Sequence, residues 1–548
     1  MKPLKALILI FCFLTTIETL AQVEYEPLSN TKVYSFLEKM YGLNLIKYNL
    51  SSLPLSKNEI QILLDSLNYK SDKLNKIDRE ILYELQIDFE TISIEENTIN
   101  FSESLSQPLN LFDNEKKKYF YYWKDENANF YLSTNAFISY RALNSDNKNN
   151  IGIGAVGLKF KGSLYNEIGY YINLTTAQQI SGNNESRKVF SEYDPFLSSA
   201  RKFVSDKYVD RFEGYLRYQS KNYFAVTIGR ENLSFGNGFY NKLFISDYPA
   251  PFDYLRIDLH YKSIYYSYLY GNIVGDSLGK PLDSKHIITN RIDFKFNQFI
   301  NIGFWQALIR PNRDISFNFL NPISFLRTAS YSSEINNEDN ALMGIDLLSS
   351  PFNKSLFHFG LLIDDLNFST LFKDKKDNKF AYQSGIRFYD PFGLNNLTFS
   401  VEYIKIAPFV YTHRSNKSTY SHWGVNLGPN LEPNSDQITL GINYWFSKRI
   451  NVDVKYQYKR HAEGIIYDGN KIIFNAGGNL LNADGDLVSN NIFLDGIRKE
   501  YHVIDLKFRI EPIKQFYIDI NYYKNWLTLP KKNNYKFDYL NITLKEEI

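Results

Sequence analysis

From about Asn129 to the C-terminus the sequence repeats one pattern, short segments in which apolar and polar residues strictly alternate. In Asn451 to Lys459 one set reads Val452, Val454, Tyr456 and Tyr458, and the interleaved set reads Asn451, Asp453, Lys455, Gln457 and Lys459. Successive side chains of a strand point to opposite faces, so such a segment has one apolar and one strongly polar face. Leu255, Ile257, Leu259 and Tyr261 alternate in the same way with Arg256, Asp258, His260 and Lys262. About eighteen such segments, from 129–140 to 535–544, follow one another without a covering helical pattern. They predict an all-β transmembrane antiparallel barrel, apolar toward lipid and polar toward the lumen.

A soluble β-sandwich alternates too, and loop length separates the two. Outer-membrane barrels have short periplasmic turns and longer outer loops. Counting from a periplasmic N-terminus, the even connections are short, at Gly162 to Asn166, Ser220-Lys221, Lys262, Asn297 to Ile300, Ser350 to Lys354, Tyr389 to Asn396, Ser447 to Arg449 and Glu511 to Lys514. The odd ones include 180 to 210, 231 to 253, 311 to 340, 406 to 436 and 461 to 499. The loops at 311 to 340 and 461 to 499 are long enough to fold inward as plugs.

Lys2 and Lys5, the apolar stretch Leu7 to Leu14 and the small-residue end Thr19-Leu20-Ala21 have the form of a secretory signal peptide over 1–21, with Gln22 first in the mature chain. The single cysteine, Cys12, lies inside it, so the mature chain has no thiol chemistry. A mean hydropathy of −0.35 is low for a helical membrane protein, but half of a barrel's strand residues face polar surroundings. The 43 Tyr and 42 Phe suit interfacial aromatic girdles. A net charge of +2 gives no sign of nucleic-acid binding. These features place the chain in the cell outer membrane, in contact with its lipid.

Residues 22–120 read as a helical periplasmic region and linker, and 121–548 as the barrel. Val33, Phe36, Leu37 and Met40 follow helical spacing, as do Ile60, Leu63, Leu64 and Leu67, and then Ile81, Leu82 and Leu85. Ser56 with Glu59 is a capping box, and Asp78 precedes another helical run. Asn97 to Lys118 reads as a linker.

The outer segments carry recognisable residues. Ile228-Gly229-Arg230-Glu231-Asn232-Leu233-Ser234-Phe235-Gly236-Asn237-Gly238 is followed by Leu243-Phe244-Ile245-Ser246 and by Pro249-Ala250-Pro251-Phe252-Asp253. Further on stand Asn318-Phe319-Leu320-Asn321-Pro322, Glu338-Asp339-Asn340 leading to Gly344-Ile345-Asp346, and Leu362-Ile363-Asp364-Asp365. Together with Pro54 to Ile60 ahead of the barrel, these stretches resemble the Wzi family of capsule assembly proteins over nearly the whole mature chain. The resemblance implies an outer-membrane barrel whose outer loops close the lumen and which acts as a lectin-like anchor for capsular or related exopolysaccharide, with polysaccharide export machinery as a further partner. The family pattern commonly has Trp where this chain has Phe235.

A sugar ring has apolar C–H faces and polar hydroxyl edges, so a glycan site pairs aromatic faces with amide, carboxylate and guanidinium groups. The candidates for contact are Tyr240, Phe244, Tyr248 and Phe252, beside Asn237, Asn241 and Asp247, and Tyr411, Arg414, Tyr420 and Trp423, beside His413, Asn416 and His422. Packing of the loops onto one another, or a place in the outer girdle, is the competing role for about half of these aromatics. Gly236, Gly238 and the Asn321-Pro322 pair are read as turn formers, and Asp339, Asn340 and Asp346 as side chains that fix loop backbone.

Catalysis is not expected. His413, Ser415, Ser418, Ser421 and His422 share a loop, but no nucleophile-elbow pattern accompanies them. Asn482, Asp484 and Asp486 have calcium-loop spacing, yet Leu487 and Phe493 stand where an EF-hand needs Gly and Glu; no metal or other cofactor is expected. The rival to a glycan anchor is a porin or sugar channel, which predicts the same polar lumen.

Overall fold

The structure is a computed structural model that describes residues 23–47, 50–103, 108–144, 148–183, 186, 208–220, 223–275, 284–296, 300–311, 317–333, 338–366, 378–481, 492–530 and 535–548. The expected signal peptide, most of the outer connection at 180 to 210 and the run from Asn482 to Asp486 lie outside these residues.

Among the described residues, eighteen antiparallel strands close into a barrel. They are β1 (Ala128–Asn144), β2 (Lys148–Leu164), β3 (Ile168–Ser181), β4 (Tyr208–Ser220), β5 (Phe224–Glu231), β6 (Phe252–Tyr261), β7 (Ile264–Val274), β8 (Ser284–Lys295) and β9 (Ile300–Pro311). There follow β10 (Asn340–Ser349), β11 (Ser355–Asp365), β12 (Lys379–Tyr389), β13 (Leu397–Ile406), β14 (Ser435–Ser447), β15 (Ile450–Glu463), β16 (Ile497–Ile513), β17 (Phe516–Thr528) and β18 (Tyr535–Glu546). Closure is made by β18 on β1, from Asp538 opposite Asn144 to Glu546 opposite Ala136. Below it, Tyr121–Lys124 pairs with Asn129 to Leu132 and continues the same edge. The turn between β2 and β3 is tight, with Tyr165 and Asn166 at positive φ as its central residues and the Glu167 N–H donating to the Leu164 carbonyl at 3.1 Å.

The alternation sets the facing. Asp453 and Lys455 form an ion pair inside the barrel, while Ile438, Leu440, Ile442 and Tyr456 are exposed on its outer face. On these strands the outer face is available to lipid without a polar cost.

The N-terminal region forms helices α1 (Thr31–Gly42), α2 (Lys57–Asn68) and α3 (Lys76–Asp88). Ser56 caps α2 through the expected capping box with Glu59. For α3 the cap is Asn75, whose side chain accepts the Asp78 amide N–H; Asp78 is the third helical residue rather than the residue ahead of the helix, because the amide side chain at 75 reaches that donor first. Leu63, Leu64 and Leu67 pack in one core with Leu37, Met40, Ile81 and Leu85. That core also contains Leu348, Leu356 and Tyr389 at the periplasmic ends of barrel strands, so the helices are seated on the barrel mouth. The stretch expected to be a linker contains paired strand segments. Thr98–Asn100 pairs in parallel with Lys117–Tyr119, which meets the strand register beside β1.

The described part of the 311 to 340 loop, 317–333, does not fold inward. Trp305 and Arg291 face the lumen, where they contact Phe244 and Asp346; their neighbours Gln306 and Asn290 therefore face out. Asn290 donates to the Ser324 carbonyl at 3.0 Å, and Gln306 accepts the Leu326 N–H at 2.9 Å. Phe319 and Leu326 pack on Tyr268, Tyr270, Ile288 and Leu308 of the outer wall. Polar groups on a lipid-facing wall need partners, and this loop supplies them by lying down the outside of the barrel.

Candidate functional site

The lumen is filled by chain entering from both ends. From outside comes the 232 to 251 connection between β5 and β6. Its turn is wrapped on one buried carboxylate, since Glu402 accepts the amide N–H groups of Phe239 at 2.6 Å, Tyr240 at 3.2 Å and Asn241 at 3.0 Å, and His358 lies 3.0 Å away. Asn-Gly sequence makes the tight turn possible: a Cβ on Gly238 would lie 1.8 Å from the Asn241 carbonyl oxygen. Phe244 stacks on Trp305 with centroids 4.4 Å apart and planes at 9°. Asn237 donates to Asp346 at 2.5 Å, and Asp346 pairs at 2.6 Å with Arg291, which also holds Asp293.

A second layer, the 407 to 434 connection, lies on the first. Tyr411 and Tyr420 donate their hydroxyls to the carbonyls of Leu243 at 2.8 Å and Phe244 at 3.0 Å. Lys285 of the wall donates to the Thr419 carbonyl at 2.9 Å. The 461 to 499 loop adds a third contact, with the Phe409 N–H donating to the Gly477 carbonyl at 2.9 Å and Leu480 N–H to Glu432 at 3.0 Å.

From the periplasmic side comes the segment ahead of α2. Ser52 and Leu53 pair antiparallel with Phe235 and Ser234 inside the barrel. Tyr25 receives a hydrogen bond from Arg217, whose guanidinium lies 4.1 Å over its ring, and donates to Asp258 at 3.1 Å. Gly169 permits the approach, since a Cβ there would stand 2.7 Å from the Glu24 amide nitrogen. Burial, outweighing the nearby Arg217 and Arg256, raises the Tyr25 hydroxyl well above its usual range and keeps it a neutral donor.

The candidate residues divide accordingly. Phe244, Tyr411 and Tyr420 are buried in the plug and serve to bind loop to loop, and Phe252, the first residue of β6, is buried against His422. Tyr240 is half-buried, with its hydroxyl 2.5 Å from Ser400 and Lys455 5.4 Å over its ring. Tyr248 and Trp423 are half-buried at the outer rim, where Trp423 and Gly424 both take positive φ, and Arg414 is exposed. Among the motif residues, Phe235 is buried beneath Arg256, Gly236 has φ +99, and Gly229 admits the Tyr215 side chain. Arg230 pairs with Asp253 at 3.1 Å. Asn321 accepts the Ile323 N–H, Pro322 accepts from Tyr266, Asp339 accepts from Ser330, and Asn340 donates to the carbonyls of Thr412 and Ser418.

The loop histidines also hold backbone, His413 by accepting the Ser415 N–H at 3.2 Å. His422 accepts the Val274 N–H at 2.9 Å; burial first, then Lys285 and Arg230, push its imidazole down to about 3, so it stays neutral. Sequence reasoning missed Glu402, Arg291 and Tyr25. For Glu402 and Arg291 the signal was polarity on a lumenal face, which every strand shares, and Tyr25 lies ahead of the helices, outside any strand pattern.

Residues 127–483 match the family described as capsule assembly protein Wzi. The chain belongs to that family. Among solved structures it is similar to Wzi of Escherichia coli, described as an outer membrane protein involved in group 1 capsule assembly and a carbohydrate-binding β-barrel, at TM-score 0.57 and 12% identity over 96% of this chain and 99% of that one. Pseudomonas aeruginosa OpdK with vanillate matches at 0.45 and 11%, covering 76% of this chain and 98% of that one, and Pseudomonas aeruginosa OprD at 0.42 and 10%, covering 76% and 95%. The search of curated proteins gives no match. Family and fold together make this an integral outer-membrane barrel of capsule assembly.

Proposed function

We propose that the protein is a non-catalytic, lectin-like anchor that holds capsular or related exopolysaccharide at the cell surface. The observation that carries this reading is the interlocked plug: three outer connections and the N-terminal segment brace one another across the lumen, which suits a rigid binding face and not a solute pore. Polymer would meet the outer rim, where Trp423 and Tyr248 offer aromatic faces and Arg414 an exposed guanidinium. Several weak contacts along one polymer sum through avidity. Export machinery would deliver the chain to this face.

The test is retention and binding together. Purified protein should bind the polysaccharide of its own strain and conduct poorly in planar bilayers, and a Trp423→Ala/Arg414→Ala variant should bind it several-fold more weakly with the barrel intact. Large steady channels without polysaccharide binding would establish the porin instead.

A further inference from the structure

The plug does not fill the lumen evenly. It leans on the wall formed by β5 to β13, and along the opposite wall a cavity of about 540 Å³ remains between the N-terminal segment and strands β14 to β18, β1 and β2. A second cavity of about 330 Å³ shares Thr31, Lys159, Tyr171, Lys545 and Glu547 with it and reaches Asn232 and Asp247 of the outer connection. The two form one crevice that runs from the outer plug toward the periplasmic mouth.

Its larger part is lopsided in charge, while the smaller part carries three Lys and Arg against four Asp and Glu. The lining of the larger cavity carries eleven Lys and Arg against seven Asp and Glu, in a chain whose total is nearly balanced at +2. The acids are already engaged, often by two cations each. Glu84 lies 2.8 Å from Arg449 and also meets Lys32, Glu547 is shared by Lys159 and Lys545, and Asp519 holds Arg509 at 2.6 Å. Among the described residues, the acids paired with Lys161 and Lys507 stand at 3.9 Å and 3.8 Å, Glu26 and Asp505. The Lys507 side chain is half exposed to the crevice. A partly enclosed volume with surplus positive charge concentrates anions, because low-dielectric walls focus the field.

The neutral lining suits a sugar. Asn443, Asn451 and Asn521 present amides and Tyr171, Tyr517 and Trp445 present rings, and the volume lies in the range of about 300–1,000 Å³ typical of small-ligand sites. We infer that this lumenal crevice is a binding site for carboxylate-bearing sugar residues, with Lys161 and Lys507 as the charges that select them. It rests on the anchor reading and deepens it: the polymer is acidic, and a chain end or side branch enters the barrel rather than lying only on the outer rim.

Full-length protein in detergent is titrated with tetragalacturonate, maltotetraose and inorganic phosphate, with binding followed by calorimetry. Tetragalacturonate should bind at least tenfold tighter than either of the others, and Lys161→Gln/Lys507→Gln should lose that advantage by about tenfold while Lys507→Arg keeps it. Heat-modifiable migration in gels checks that the variant barrels are folded. Equal binding by wild type and the double Gln variant overturns the inference, as does phosphate binding as tightly as tetragalacturonate, which would make this an anion site without sugar recognition. Native polysaccharide bound at the wild-type level by the double variant, with tetragalacturonate ignored by both proteins, removes the crevice and leaves the outer anchor standing. Tetragalacturonate binding in a protein that does not retain native polymer removes the anchor and leaves the crevice.

Discussion

Gly236 donates its amide N–H to the carbonyl of Ser51 at 2.8 Å. One residue belongs to a loop that enters from outside, the other to a segment that enters from the periplasmic mouth, so the two halves of the plug are joined by backbone inside the barrel. Ser51 in turn donates to Asp293 at 2.9 Å, which ties the junction to the Arg291 cluster on the wall. Closure of the lumen is therefore a property of both ends at once.

Gly236→Val should open this junction. The glycine has φ +99, and a Cβ there would meet Phe244 Cβ at 3.4 Å; the space is tolerable, but the backbone conformation is not one an L-residue favours. The strain is worth about 1–3 kcal/mol and falls on the plug, since no ladder bond of the barrel involves residue 236. Planar-bilayer recordings should show larger and more frequent conductance steps, with unchanged heat-modifiable migration of the barrel. Wild-type silence in the variant would mean that the junction is not what keeps the lumen shut.

The strands were legible because lipid and lumen impose a period of two on every one of them, and loop parity then gave sidedness. Val452 and Asp453 could be assigned to faces from spacing alone. The helices were legible from Leu63, Leu64 and Leu67 and from the Ser56 cap. The plug was not, because little distinguishes Tyr411, buried against the Leu243 carbonyl, from Trp423 at the rim; both are aromatics of one loop with a polar residue on one side. The path of the 311 to 340 loop was hidden for a related reason. Asn290 and Gln306 break the apolar face of their strands, and that break was the available sign that something covers the outer wall there.

Arg291→Met should be among the costly single changes in the barrel interior. Its guanidinium is fully buried between Asp293 at 2.5 Å and Asp346 at 2.6 Å, and removing it leaves two buried carboxylates facing each other. Breaking a buried pair from one side costs about 3–5 kcal/mol. The temperature at which the folded band disappears in gels should fall markedly, and adding Asp346→Asn to Arg291→Met should recover part of the loss by removing one stranded charge.

Val454→Arg tests the outer face. Val454 alternates with Asp453 and Lys455, whose ion pair lies in the lumen, so the new charge would point into lipid. At the bilayer midplane that costs about 2–4 kcal/mol. Refolding titrations in lipid vesicles should show the loss for Val454→Arg and little change for Lys455→Arg; the reverse order would mean that the strand faces are exchanged.

Acid should release the periplasmic half of the plug. Burial raises the carboxyls of Asp88 and Glu90, but their lysines outweigh it, with Lys514 2.9 Å and Lys117 3.8 Å from Asp88, and Lys57 2.6 Å and Lys124 2.9 Å from Glu90; both end well below the usual carboxylate range. A folded value depressed below the unfolded one gives stability that is present in full above the unfolded value, about 4, and is lost as pH falls from there through the folded value. The amide protection factors of α1, α2 and α3 should therefore be unchanged between pH 8 and 5 and fall below about pH 4, while barrel strands stay protected. Lys124→Gln with Lys514→Gln should bring both carboxyls back toward their ordinary values, which weakens the helices at neutral pH and flattens the acid response. Protection that fell as pH rose from 5 to 8 would assign the docking of these helices to other groups.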